Sequence, residues 1–65
     1  MNSKTFNKKK FFSNLKKNHD WTTNQLRVLL STIRGCGYLD GGTIIFPMDL
    51  DIVTFLEEVK EKAAD

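Results

Sequence analysis

Thr22-x-x-Gln25, bracketed by Trp21 and Leu26, is the segment that most narrows how this chain can fold. With Thr22 as the residue that caps a helix, Gln25 falls three places on and can return a hydrogen bond to the Thr22 backbone. Trp21 and Leu26 then sit where an apolar pair clamps the incoming chain. Leu26, Leu29, Leu30 and Ile33 continue at helical spacing and make one apolar stripe. A helix over Thr22–Arg34 follows, with Gly35 expected as the left-handed residue that ends it.

A second helix is expected from Asp49 or Leu50 to about Ala63, with Asp49 as its cap and Met48 packing on Val53. Ile52, Phe55, Leu56, Val59 and Ala63 share one of its faces, opposite Asp51, Thr54, Glu57, Glu58 and Glu61. Lys4 to Asn18 carries a weaker helical pattern, in which Phe11, Phe12 and Leu15 agree while Phe6 precedes the helix or packs back on it. Asn18-His19-Asp20 is a short polar connection. Between the two strong helices, Tyr38 to Phe46 has strand formers on both sides of Asp40-Gly41, which predicts a β-hairpin.

The expected fold is therefore α+β: one small domain over residues 1–65, three helices, and a two-stranded hairpin between the second and third, with residues 1–4 flexible. A chain this short buries only about 60% of the surface that it exposes when unfolded, so each core residue counts. Leu15, Leu26, Leu29, Leu30, Ile33, Ile45, Ile52, Phe55, Leu56 and Val59 are the expected core, and Phe6 and Tyr38 the aromatics most exposed. Helix, short turn, helix, hairpin, helix is similar in element order to winged-helix DNA-binding domains. That resemblance implies a recognition helix in the major groove and a hairpin against the backbone.

The net charge of +2 hides a division. Residues 1–34 hold eight Lys and Arg against Asp20 alone, a net of +7, whereas residues 35–65 hold Lys60 and Lys62 against seven acids, a net of −5. Such a division suits a polyanionic partner for the first half, or a homodimer in which the basic half of one copy docks on the acidic half of the other. On the solvent face of the Thr22–Arg34 helix, Thr23, Asn24, Arg27, Ser31 and Arg34 fall within about 100° of one another by the 3.6-residue period. Arg pairs with guanine, Asn with adenine, and Ser or Thr with phosphates or bases. Lys8, Lys9, Lys10, Lys16 and Lys17 supply the point charges that neutralise phosphate without exact geometry. These ten residues are the expected nucleic-acid surface of a small cytoplasmic regulator. The alternative is an inhibitor or adaptor that binds a partner protein through Asp51, Glu57, Glu58 and Glu61, joined by Asp65 and the Asp40 turn, or through the apolar 44–48 segment.

Enzyme chemistry is not expected. Cys36 is the only cysteine, which rules out an internal disulfide or a multi-cysteine zinc site. His19 beside Asp20 has no Ser or Cys nucleophile next to it, and the carboxylates lack the spacing of a metal loop. No cofactor is implied. The longest apolar run, Ile44 to Met48, is too short for a membrane span, and no apolar run of signal-peptide length follows the N-terminal lysines.

Overall fold

A computed structural model describes residues 3–63. Strand β1 (Ser3–Asn7) is followed by helices α1 (Lys8–Asn18) and α2 (Thr23–Gly35). Strands β2 (Leu39–Asp40) and β3 (Thr43–Pro47) and helix α3 (Ile52–Lys62) follow within the described residues. The fold is α+β with three helices, but the sheet has three strands in the order β1-β3-β2, all antiparallel, where the hairpin alone was expected. The order of helix, turn, helix, hairpin and helix is kept, with one strand added in front.

That added strand corrects the helix expected from Lys4. Ser3 to Asn7 pair residue by residue with Pro47 to Thr43, so Ser3 and Lys4, expected to be flexible, are part of the ladder. Residues 1 and 2 lie outside the described residues, as does Asp65. The helix starts only where the Asn7 side chain accepts the Lys10 backbone N–H at 3.1 Å. Across the ladder Phe6 is opposite Ile44 and Leu39 is also opposite Ile44, which places all three on one face of the sheet.

The start of α2 is as expected. Thr22 Oγ1 accepts from Gln25 N at 3.1 Å and Gln25 Oε1 accepts from Thr22 N at 2.8 Å, a closed capping box. Its end is two residues later than expected. Gly35 is still helical, Cys36 is the cap, and the left-handed residue is Gly37, at φ +75°. Gly37 N donates to Arg34 O at 3.1 Å and Tyr38 N to Ile33 O at 2.8 Å, the paired bonds of a Schellman ending, and these seat Tyr38 beside Ile33.

In the hairpin, Asp40 is the last ladder residue, opposite Thr43, and the turn is Gly41-Gly42 instead of Asp40-Gly41. Only Gly41 has a positive φ, +62°, as in turns with glycine at the first central position. The cap of α3 is Asp51, not Asp49, because Leu50 N donates to Pro47 O at 3.1 Å and this turn holds Asp49 outside the helix. The apolar clamp moves with it. Leu50 now precedes the cap and Phe55 takes the fourth helical position, while Met48 and Val53, the pair expected to pack, are 50% and 67% exposed.

Leu15, Trp21, Leu29, Ile33, Ile44, Phe46 and Val59 form the buried cluster, with Ala63 buried at the end of α3. Leu26, Leu30, Ile52, Phe55 and Leu56 are half-buried against it. Ile45 is not part of the cluster, because strand alternation turns Ile44 and Phe46 inward and Ile45 to the other face. Phe46 is the centre of an aromatic group, with ring centroids of Tyr38, Phe55, Phe6 and Phe11 at 5.6, 5.7, 5.9 and 6.1 Å. Phe6 and Tyr38 are accordingly half-buried and not the exposed rings that the sequence suggested.

Candidate functional site

Three chain segments meet at one junction that sets how α2 presents its outer face. Lys60 Nζ, from α3, donates to the His19 carbonyl oxygen at the end of α1 (2.8 Å) and lies 5.9 Å from the Trp21 ring centre. Gln25 Nε2 donates to the Lys60 carbonyl oxygen at 3.3 Å, so the same buried Gln25 that closes the capping box also ties α2 to α3. Trp21 N and His19 N both donate to Leu15 O, at 3.2 and 3.1 Å, and Asp20 turns the chain at φ +57°. His19 thus serves as a helix cap through its backbone, and Cys36 is the exposed cap of α2.

With its inner stripe held by Gln25, Leu29 and Ile33, α2 turns Thr23, Asn24, Arg27, Ser31 and Arg34 to solvent as one exposed face. Arg34 lies in its last turn, where a cation complements the helix dipole. On α1, Lys9, Lys10, Lys16 and Lys17 are exposed and Lys8 is half-buried. Lys8 N donates to Gly42 O at 2.9 Å, which fixes the first turn of α1 against the hairpin turn.

The lysines divide electrostatically. Lys16 and Lys17 occupy the last turn of α1, where the partial negative charge of the helix end favours them. Lys8, Lys9 and Lys10 occupy its first turn, which contains no acid, and there each cation opposes the helix dipole by about 0.3–1 kcal/mol when exposed. Among the described residues no carboxylate lies within 4.0 Å of a Lys or Arg side-chain nitrogen. Among the described residues, the basic half is not neutralised at contact range by the acidic half.

A shallow, open groove on α1 is lined by Lys9, Lys10 and Lys17 together with Ser13, Asn14 and Asn18, all exposed. These three neutral residues were not singled out from the sequence. Their signal was available in the spacing, since 9, 10, 13, 14, 17 and 18 repeat at three and four along one helix face.

The residues of the alternative surface belong mainly to α3. Glu57, Glu58 and Glu61 are exposed on α3, and Glu58 and Glu61 border a groove against α2 with Thr32, Phe55 and Val59. Asp51 is occupied as the cap of α3. The Thr54 backbone N–H and side chain bond its carboxylate and hold its pKa below the ordinary 3.8, with Lys4 adding a smaller field in the same direction. The apolar 44–48 segment is no contact surface as a whole, because Ile44 and Phe46 are fully buried in the central strand and only Met48 is well exposed.

The chain matches no family model, no curated protein and no solved structure. Function therefore rests on the surface itself. Among the described residues, no group of three or more His, Cys, Asp or Glu is placed to hold a metal ion, and no helix is long and apolar enough to cross a membrane.

Proposed function

We propose that this chain is a small cytoplasmic nucleic-acid-binding protein, a regulator and not an enzyme, that contacts its target through the outer face of α2 and the lysines of α1. The observation that carries this reading is the first turn of α1. Three consecutive lysines at the positive end of a helix lower its stability, and among the described residues no carboxylate compensates them at contact range. A polyanion removes that penalty when it binds. Arg27, Arg34 and Asn24 then supply the side-chain chemistry for base edges, with Thr23 and Ser31 available to bases or phosphates.

Titration of labelled duplex DNA, single-stranded DNA and RNA at several salt concentrations tests this. Binding should weaken linearly in log[salt], by about 0.9 log units per phosphate neutralised on a duplex. Arg27→Ala should weaken binding at unchanged melting temperature. Indifference to Arg27→Ala, with loss of a protein partner on reversal of Glu57, Glu58 and Glu61, would favour the inhibitor or adaptor reading, which the exposed acids on α3 support. Docking of basic on acidic halves between two copies predicts a melting temperature that rises with protein concentration and falls in high salt.

A further inference from the structure

No acid occurs before Asp20, and the structure folds this acid-free stretch into β1 and α1, with a second open groove between them. Phe6 of β1 and Phe11 of α1 form its apolar wall, their ring centroids 5.0 Å apart, and Thr5, Asn7, Lys10 and Asn14 form its rim. Both rings are half-buried: one side packs on Phe46, and part of each surface remains uncovered. Lys10 and Asn14 also belong to the cationic groove over α1, so the aromatic wall and the Lys9–Lys10–Lys17 track are continuous.

We propose that this continuous surface binds a single-stranded polynucleotide, with one base against the Phe6–Phe11 wall and the flanking phosphates along Lys9, Lys10 and Lys17. The inference rests on the nucleic-acid reading above and adds a class of target and a second contact region to it. A base inside a duplex is paired and stacked and cannot reach an aromatic wall, whereas an unpaired base presents its face freely. The Asn14 amide at the junction of the two grooves offers both donors and an acceptor to a base edge. The α2 face, by contrast, has cations, amides and hydroxyls but no ring.

The deciding experiment compares a labelled oligothymidine strand with an abasic strand of equal length on the unaltered full chain, while backbone amide shifts are followed by NMR. Loss of the bases should weaken binding roughly fivefold or more. Amide shifts should centre on Thr5, Asn7, Lys10 and Asn14. Lys10→Gln, at an exposed position, should make the dependence of log K on log[salt] shallower by about 0.7. Phe11→Leu should reduce the preference for the base-bearing strand. If that variant fails to fold, the abasic comparison decides by itself. Equal affinity for the two strands, or shifts confined to α2 with a duplex, overturns the base site and leaves the nucleic-acid reading intact. Absence of binding to any strand or duplex at low salt removes both.

Discussion

Helices α1 and α2 adjoin in sequence but are built to opposite rules. α2 has a closed capping box, a Schellman ending, three buried residues and a side-chain bond from Gln25 to α3. α1 has one buried residue, Leu15, a single Asn7 cap and three lysines against its own dipole. The contrast separates scaffold from surface. In α2 the satisfied ends and the buried stripe hold the outer face still. In α1 the sequence places positive charge where helix stability favours negative, a local conflict that the proposed nucleic-acid contact would account for.

The sharpest break of this contrast is in the core beneath α2. Leu29→Ala should cost about 2–5 kcal/mol, since Leu29 is fully buried, and unfold much of the population. The half-buried Leu30 should cost less on the same change, and thermal melts of the two variants rank them directly. Equal losses would mean that the inner stripe of α2 is misassigned.

Next in size is Gln25→Ala. It removes the return bond to Thr22 N and the bond to the Lys60 carbonyl, and should cost about 1–2 kcal/mol, compared with about 1 kcal/mol for Asn7→Ala at the looser cap of α1. Urea unfolding of both variants measures the difference.

Lys9→Glu and Lys10→Glu should each raise stability by about 0.3–1 kcal/mol while weakening nucleic-acid binding. Opposite signs in the melt and the titration sharpen the division between scaffold and surface, and a fall in both would erase it. The smallest effect is at α3. Because its hydrogen bonds to Thr54 lower the folded pKa of Asp51, its contribution is present above the ordinary value of 3.8 and is lost as pH falls through the folded value. Asp51→Asn should flatten that part of the acid limb in a pH series of melting temperatures.

Much of α2 was readable because its signals are local. Thr22, Gln25, Trp21 and Leu26 lie within one and a half turns and interact wherever the rest of the chain goes. The outer face of α2 was readable for the same reason, since helical periodicity places Arg27 and Ser31 together without reference to any other element. Where two equivalent residues competed, local rules favoured Gly35 and Asp49, and the structure uses Gly37 and Asp51. Gly35 and Gly37 both suit a helix end, and Gly37 has the role because the Tyr38 N–H reaches the Ile33 carbonyl from there. Asp49 and Asp51 both suit a cap, and the turn closed by Leu50 N on Pro47 O selects Asp51.

By itself the sequence determined the helical stripes, the capped start of α2, the presence of a glycine turn between strand formers, and the division of charge. Each depends on residues a few positions apart, whose geometry the backbone alone imposes. Only the tertiary structure decided that Ser3–Asn7 is a strand, that Ile44 and Phe46 point inward in place of Ile45, and that Phe6 and Phe11 share a groove with Lys10. Those outcomes depend on hydrogen bonds between β1 and β3, about forty residues apart in the chain, whose register no local pattern encodes.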